Sequence, residues 1–166
     1  MDETAKKTAL RMIPYGIYVM TANAEGEIAS ATVNWVTQTS FKPPLIAVGV
    51  KAGSAMHDIA RKSKRFALNM LGKGQQGVAF AFFKPAEIED GKICGESYYT
   101  GATGAPLLDC AIACVECKVV GVAEHGDHHI FMGEVIAARV HREPGGRADE
   151  AILEMKELGP NVFYGG

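Results

Sequence analysis

Hydrogen-bonding side chains crowd into one otherwise apolar region near the start of the chain. The segment 28–57 holds two β-like runs, and its polar groups belong to Thr32, Asn34, Thr37, Gln38, Thr39 and Ser40. Burying such a group without a partner costs about 1–3 kcal/mol. These side chains therefore face either water or a polar ligand, and we favour a ligand that carries a phosphate and a flat polar ring.

Alternation along an extended segment divides this region into two faces. One face would carry Ser30, Thr32, Asn34, Val36, Gln38 and Ser40, and the other Ala31, Val33, Trp35, Thr37, Thr39 and Phe41. The first face is mostly polar and the second is more apolar. A half-exposed strand with water on its polar side fits this pattern as well as a ligand-binding strand does. Spacing alone leaves both interpretations open.

A second candidate is the stretch Lys51-Ala-Gly-Ser54. Ser54 is placed to cap a helix over residues 54–61, whose first backbone N–H groups would be free, and Lys51 adds a positive charge. Free N–H groups and a cation are the components of a phosphate site. His57 on the first turn and Lys84 after another short helix could reach the same phosphate. Taken alone, this stretch favours a plain N-cap without a ligand.

Three histidines, His125, His128 and His129, surround a predicted hairpin turn at residues 126–127. A stable zinc site needs a third and a fourth ligand, and the neighbouring carboxylates are ill suited to a closed structural site. We therefore predict no metal here. A histidine beside a redox ligand is the more attractive interpretation, and a solvated turn is the alternative.

The four cysteines are predicted to be reduced. Cys114 and Cys117 have the spacing of a redox or zinc pair, but residues three apart in a strand point to opposite faces. Cys110 and Cys114 share a face but lie roughly 13 Å apart in an extended strand. Together with Cys94 they are interpreted as free core or surface thiols, in keeping with a cytosolic protein.

Several catalytic motifs are absent from the sequence. It has no Gly-x-Ser-x-Gly nucleophile motif, no Gly-x-Gly-x-x-Gly after a strand and no distinctive pair of carboxylates. The glycine-rich loop at residues 72–77 also lacks the lysine and hydroxyl pattern of a nucleotide P-loop. The sequence does not resemble a hydrolase, and a borrowed cofactor would supply the chemistry that its side chains lack.

Composition limits the class of protein. The chain is 48% hydrophobic and 22% charged, as in an ordinary globular protein, and residues 1–166 fit a single domain. A net charge of −2 argues against a general nucleic-acid binder. No apolar run is long enough to cross a bilayer, and residues 1–7 lack the apolar core of a signal peptide. The expectation is therefore a cytoplasmic protein without membrane association.

Hydrophobic patterns and turn residues predict a mainly β protein. Helices are predicted over residues 4–13, with Thr4 as N-cap, and over 54–61, 78–83 and 149–158. Strands are predicted over residues 17–21, from 28 onward, and over 45–50, 66–71, 111–124 and 129–140. Residues 86–106 are predicted to be a long irregular lid or binding loop. Successive hairpins favour an antiparallel sheet that closes into a barrel with peripheral helices outside it.

Four stretches, in this order, make the chain resemble the flavin reductase-like, FMN-binding split-barrel proteins. They are Tyr15-Gly-Ile-Tyr-Val-Met-Thr21, Ala31-Thr-Val-Asn-Trp-Val-Thr-Gln-Thr-Ser-Phe-Lys-Pro-Pro-Leu45, Lys51-Ala-Gly-Ser54 with His57, and Gly126-Asp-His-His-Ile-Phe-Met-Gly-Glu134. The resemblance covers nearly the whole chain. It is strongest to the branch that includes ferric reductase-like proteins and the flavin reductase modules joined to flavodiiron proteins and rubredoxins.

The resemblance implies a fold, a cofactor and a set of site residues. The fold would be a Greek-key split β-barrel that forms a homodimer, with FMN near the subunit interface and FAD as the alternative flavin. Residues implied near the flavin ring are Thr32, Asn34, Trp35 and Val36, and those near the ribityl chain or phosphate are Gln38 and Ser40. The implied phosphate segment is Lys51, Ser54 and His57, with Lys84 as a weaker assignment. His128 matches the histidine over the flavin, where the nicotinamide docks.

The activity that the resemblance implies is that of an NAD(P)H-dependent flavin oxidoreductase. Hydride would pass from NADH or NADPH to the flavin, and electrons would pass on to free flavin, a metal complex or a partner protein. A non-enzymatic FMN electron carrier and a flavin- or haem-binding module remain alternatives. Trp35 departs from the family pattern, because many members have a small residue there, and its bulk favours a tightly held flavin.

Overall fold

A large antiparallel sheet is the main element of the protein, whose computed structural model describes residues 1–165. Its seven strands lie in the order β2-β1-β5-β10-β11-β4-β3. Their bounds are β1 Tyr18–Ala24, β2 Glu27–Val33, β3 Val36–Phe41, β4 Pro44–Lys51, β5 Arg65–Met70, β10 Ala113–Ala123 and β11 His128–Val140. Each predicted strand is confirmed, with ends that differ by a few residues.

Tight turns explain why neighbouring strands pair antiparallel. Glu25 and Gly26 join β1 to β2, and their φ angles of 56° and 92° fit the two-residue turn that matches strand twist. The Asn23 side chain accepts a hydrogen bond of 2.9 Å from Gly26 N, which closes this turn. The hairpin predicted at residues 126–127 is also present, since β10 and β11 pair along their length.

The sheet curls around one core but does not close. Ala29 of β2, Val48 of β4 and Phe131 of β11 are buried in the same cluster, which α2 (Ala55–Ser63) covers. Among residues 1–165, however, the edge strands β2 and β3 are not paired with each other. The predicted closed barrel is therefore not observed. The chain passes from one sheet edge to the other at residues 34–35, which also interrupts the alternation predicted for 28–41.

The predicted irregular loop at residues 86–106 is wrong, because most of it forms a second, small sheet. Its four strands are β6 Ile88–Glu89, β7 Lys92–Ile93, β8 Glu96–Thr100 and β9 Pro106–Leu108, in that order. Two-residue turns at 90–91 and 94–95, all with positive φ, connect the first three strands. The strands β6 and β7 have only two residues each, which is too short to leave an alternating pattern in the sequence.

The helices match the predictions at α2 and differ elsewhere. The first helix, α1 Glu3–Arg11, is capped by Asp2 rather than by Thr4, and buries none of its residues. The short helix α3 spans Gln76–Ala81, two residues earlier than predicted. In the part of the chain that the structure covers, no helix combines the length and apolar character needed to span a bilayer.

The helix predicted over residues 149–158 is wrong. A single turn, α4 Ala148–Ala151, is followed by extended residues and then by a 3₁₀ helix at Met155–Leu158. Leu153 lies between them, fully buried, and its backbone pairs with two segments of the core. Its N–H donates to the Leu71 carbonyl, and its own carbonyl accepts from Ile17 N, both at 2.7 Å. These tertiary hydrogen bonds outweigh the helical spacing of the apolar residues.

Candidate functional site

A cavity of about 360 Å³ opens where β2 and β4 end and where β11 and α2 begin. Five residues singled out from the sequence line it together: Thr32, Asn34, Lys51, Ser54 and His128. The remaining lining is mainly apolar and comes from Ile17, Ala31, Val33, Gly49, Val50, Met56, Phe82, Phe83, Met155, Leu158 and Tyr164. An apolar cavity with a few convergent polar groups is the usual form of a small-molecule site. We call it the central cavity.

Thr32 connects the edge strand β2 to the short helix that follows the loop at residues 72–77. Its backbone N–H donates to the Phe82 carbonyl at 3.1 Å, and its hydroxyl donates to the Ala79 carbonyl at 2.7 Å. These two bonds hold Phe82 and Phe83 against the cavity. The hydroxyl oxygen of Thr32 keeps acceptor capacity toward a ligand.

The N-terminus of α2 forms the cationic end of the central cavity. The Ser54 hydroxyl accepts a hydrogen bond of 3.2 Å from His57 N, which confirms Ser54 as the N-cap. The other first-turn N–H groups have no partner within the helix and carry the positive end of its dipole. Lys51 lines the same cavity. This end can therefore bind an anion such as a phosphate.

Backbone hydrogen bonds connect this cationic turn to the histidine hairpin. Ser54 N donates to the Lys51 carbonyl at 3.3 Å, and Ala52 N donates to the Asp127 carbonyl at 3.0 Å. In the register of the sheet, Lys51 lies opposite His128. Lys51 and His128 therefore sit side by side on adjoining strands.

Three rings pack together beside the central cavity, and two of them, His128 and Tyr164, line it. The ring centroids of Trp35 and His128 lie 4.6 Å apart, and that of Tyr164 lies 5.4 Å from Trp35 and 5.7 Å from His128. Gly49 makes this packing possible, because a Cβ at that position would lie 3.1 Å from the indole. The indole N–H of Trp35 is buried without a hydrogen-bond partner among the described residues. We call these three residues the aromatic wall.

Both ring nitrogens of His128 form hydrogen bonds. Its Nδ1 lies 2.9 Å from an Asp127 carboxylate oxygen, and its Nε2 lies 2.6 Å from the Tyr164 hydroxyl. The hydrogen bond from His128 lowers the pKa of Asp127, so this carboxylate is ionised at neutral pH. Burial raises the pKa of Tyr164, so its hydroxyl keeps its proton.

An open groove of about 790 Å³ lies next to the aromatic wall. Trp35, Val36 and Ile130 contribute to its largely apolar lining, and His128 borders both this groove and the central cavity. Trp35 and Val36, both implied by the resemblance to lie near the flavin ring, therefore line this groove rather than the central cavity. We call it the outer groove.

Besides Trp35 and Val36, four other residues implied by the resemblance do not line the central cavity. Gln38 and Ser40 lie on β3 at the far edge of the sheet, where the Gln38 amide donates to the Ser40 carbonyl at 3.1 Å. The His57 ring is buried and contacts His129 (Nε2 to Nδ1, 2.9 Å). Lys84 is exposed and pairs with Glu87 at 2.8 Å. Gln38 and Ser40 share a predicted strand face with Thr32, but they do not share its cavity because the chain turns at residues 34–35.

Among the described residues, no three side chains of His, Cys, Asp or Glu lie close enough together to bind a metal ion. All four thiols are free. Cys114 and Cys117 pack in separate clusters on opposite faces of the sheet, as predicted. Burial raises the pKa of Cys117 to about 12, so this thiol is not a nucleophile at neutral pH.

Sequence reasoning missed the contribution of the last described residues. Tyr164 lines the central cavity and bonds to His128, and Met155 and Leu158 line the same cavity. The available signal was a pair of aromatic residues, Phe163 and Tyr164, in a segment with little secondary-structure preference. Aromatic residues in such a segment are expected to pack against another part of the protein, but the sequence pattern does not indicate which part.

Comparison with known proteins places this geometry among flavin-dependent reductases. A family model described as "Flavin reductase like domain" matches residues 10–164. The "Ferric-chelate reductase (NAD(P)H)" of Archaeoglobus fulgidus is 33% identical over 139 residues, which cover 81% of each chain. "Diflavin flavoprotein A 1" of Synechocystis is 32% identical over 147 residues, which are 87% of this chain but only 25% of that protein.

A solved structure supports the same relationship. The styrene monooxygenase flavin reductase of Pseudomonas putida S12 superposes with a TM-score of 0.70 and 29% identity. The alignment covers 83% of this chain and 86% of that one. The chain thus spans 81% of the ferric-chelate reductase, 86% of the styrene monooxygenase flavin reductase and 25% of the diflavin protein.

Proposed function

We propose, from the premise that this chain belongs to the flavin reductase-like family, that it is an FMN-dependent oxidoreductase. It takes a hydride from NADH or NADPH and passes electrons to free flavin, a metal complex or a partner protein. The observation that carries this proposal is the central cavity, which joins an anion site at the start of α2 to the aromatic wall with His128. These are the two ends that a phosphorylated ring cofactor requires.

The residues of the central cavity fit FMN. Its volume of about 360 Å³ is at the lower end of the range for small-molecule sites, which favours FMN over the larger FAD. One helix N-terminus with Lys51 suits one terminal phosphate. Thr32 and Asn34 supply polar groups between the two ends. A flavin ring, which carries both donor and acceptor atoms, suits these groups.

The chain would act by binding and positioning. When bound, the flavin supplies the ring that accepts the hydride and later gives up the electrons. Lys51 and Ser54 would hold its phosphate, and Phe82 and Phe83 would exclude water from the apolar side of the cavity. His128 borders both the central cavity and the outer groove. It would therefore contact the nicotinamide of the electron donor.

The split-barrel architecture and the homodimer are part of the same proposal, with residues 1–166 as one flavin-binding domain. The curled sheet, whose edge strands β2 and β3 are not paired with each other among residues 1–165, supports a split barrel. One face of β11 exposes Ile130, Met132, Ile136 and Val140, which are between 36% and 56% exposed. A row of apolar side chains on a strand face favours a second copy of the chain as its cover. Light scattering should give the mass of two chains, and a monomer mass would contradict the dimer.

An anaerobic titration tests the function directly. Protein loaded with FMN is mixed with NADH or NADPH while the visible flavin band is followed. We expect rapid bleaching by at least one nucleotide, and the faster one identifies the donor. Tight binding of FMN without bleaching by either would contradict the reductase and indicate an electron carrier. Failure to bind FMN or FAD would contradict the site itself.

The same titration on a His128→Ala variant tests the role of that histidine. We expect reduction to slow about 10-fold or more, because the nicotinamide loses a positioning contact. FMN affinity should stay within about threefold, since the anion site is untouched. His125→Ala is the matched control, because His125 lies in the same hairpin turn and is exposed. Equal reduction rates in both variants would remove His128 from the site.

A further inference from the structure

The residues 162–165 form a strap that runs along the central cavity and the outer groove. The guanidinium of Arg11 lies 3.9 Å from the centroid of the Phe163 ring. The Tyr164 carbonyl accepts a hydrogen bond of 3.1 Å from the Asn34 amide. Gly165 packs beside the indole of Trp35. Two different parts of the chain, α1 and the turn at residues 34–35, thus fix the position of this strap, although none of it is helix or strand.

The strap places the Tyr164 hydroxyl on His128. The ionised carboxylate of Asp127 can only accept a hydrogen bond, so Nδ1 of His128 carries a proton. The Tyr164 hydroxyl keeps its own proton, and at 2.6 Å it donates to Nε2. A neutral imidazole with its proton on Nδ1 satisfies both contacts. The two neighbours together therefore select one tautomer and one ring orientation.

Asp127 and Tyr164 do not restrain the His128 ring equally. The Asp127 side chain is 94% exposed, so water competes for its hydrogen bond to His128. Tyr164 is held by its carbonyl and by ring contacts with Trp35 and His128. The tyrosine is thus the firmer of the two restraints, and without it Nε2 would be open to water.

We propose that Tyr164 is a positioning residue that fixes the tautomer and orientation of His128 through its hydroxyl group. The proposal rests on the role of His128 in the proposed function. Tyr164 itself need not touch the nicotinamide. It acts by keeping Nε2 unprotonated and directed at a fixed angle, so that the ring presents one defined edge to the donor.

The first test measures the protonation of the two ring nitrogens of His128 and requires neither flavin nor enzymatic activity. Nitrogen-15 NMR of histidine-labelled protein reports which ring nitrogen of His128 is protonated. In the wild type we expect one protonated and one unprotonated nitrogen. In Tyr164→Phe, which keeps the aromatic ring beside Trp35, both signals should move toward values averaged between tautomers. Tyr98→Phe is the control, because Tyr98 packs against a different core cluster.

The second test is a double-mutant cycle on the rate of flavin reduction. Tyr164→Phe should slow reduction about 10-fold without changing nicotinamide affinity, since a misdirected ring spoils geometry rather than binding. In a His128→Ala background the same change should have no further effect, because Tyr164 acts only through His128. Tyr164→Leu should behave like Tyr164→Phe in rate if the hydroxyl is what matters.

The outcomes separate this proposal from the proposed function. Unchanged nitrogen signals in Tyr164→Phe, or a full additive loss in the His128→Ala background, would overturn the positioning role alone. A wild-type protein that binds FMN but is not reduced by either nucleotide would overturn the proposed function instead. Averaged tautomer signals together with a non-additive cycle would support the positioning role.

Discussion

Replacing Ser54 with Asp should weaken the binding of FMN by about 100-fold but leave the binding of riboflavin within about threefold. In the proposed site both flavins would present the same ring to the aromatic wall, and only FMN carries a phosphate. Asp is as good an N-cap as Ser, so α2 should form normally in the variant. The loss should therefore fall on the phosphate and not on the fold.

Electrostatics sets the size of this effect. Two unit charges about 4 Å apart repel by about 4 kcal/mol at the effective dielectric constant found near protein surfaces. The partial exposure of the site and the nearby Lys51 reduce that figure, and a 100-fold loss corresponds to about 2.7 kcal/mol. The carboxylate would also accept the first-turn N–H bonds that the phosphate needs.

The matched control is Ser54→Asn, which keeps the shape and capping ability of Asp without its charge. Its FMN affinity should stay within about threefold of the wild type. Isothermal titration with FMN and with riboflavin measures both affinities for each variant. Equal FMN affinity in the Ser54→Asp variant and the wild type would show that the phosphate binds elsewhere. Equal losses for both flavins would show that the substitution damages the cavity rather than the anion site.

The local chemistry of the site could be predicted from the sequence. Ser54 has the residue type and position of a helix cap, and the structure confirms this cap together with the nearby Lys51. The hairpin that presents His128 follows from the turn residues Gly126 and Asp127 between two long apolar runs. Each of these features depends only on neighbours in the chain, so residue type and spacing are sufficient to find it.

Contacts between distant segments could not be predicted in the same way. Gln38 and Ser40 share a sequence face with Thr32, but the turn at Asn34 and Trp35 sends them to the far edge of the sheet. No local pattern marks that turn, because both residues also suit a strand. Sheet order depends on pairing across the whole chain, and only the fold resolves it.

The same limit explains two other differences. Apolar residues at helical spacing predicted a helix over residues 149–158, but tertiary hydrogen bonds hold Leu153 extended instead. Tyr164 reaches His128 across a separation of 36 residues. A contact between residues so far apart in the sequence leaves no periodic pattern. An aromatic residue in a loop could pack against many parts of the protein, and its type does not indicate which.

The buried carboxylate of Glu116 joins the large sheet to the loop at residues 101–104. One oxygen accepts from Ala102 N at 3.1 Å, and the other accepts from the N–H and the hydroxyl of Thr103, both at 2.7 Å. Gly101 packs so closely that a Cβ there would overlap the carboxylate. Burial alone would raise the pKa of Glu116, but the donors from Thr103 and Ala102 outweigh it, so the pKa lies below its ordinary value.

Replacing Glu116 with Gln should lower the free energy of unfolding by about 3 kcal/mol at pH 7. Gln has nearly the same shape, but its amide group would place two donors against backbone N–H groups that need an acceptor. Urea unfolding followed by the fluorescence of Trp35, the only tryptophan, measures the change. Glu89→Gln is the control, because Glu89 is exposed on the small sheet and should change stability by less than about 0.5 kcal/mol.

The pH dependence of this difference separates the charge of Glu116 from its shape. A carboxyl whose pKa is lowered on folding contributes stability above its unfolded pKa, and that contribution is lost as the pH falls through the folded pKa. The gap between wild type and Glu116→Gln should therefore be full at pH 7 and shrink below about pH 4, where the protonated carboxyl and the amide become equivalent. A gap that stays constant as the pH falls would assign the effect to packing. A variant as stable as the wild type at pH 7 would show that the loop at residues 101–104 is held by its other contacts.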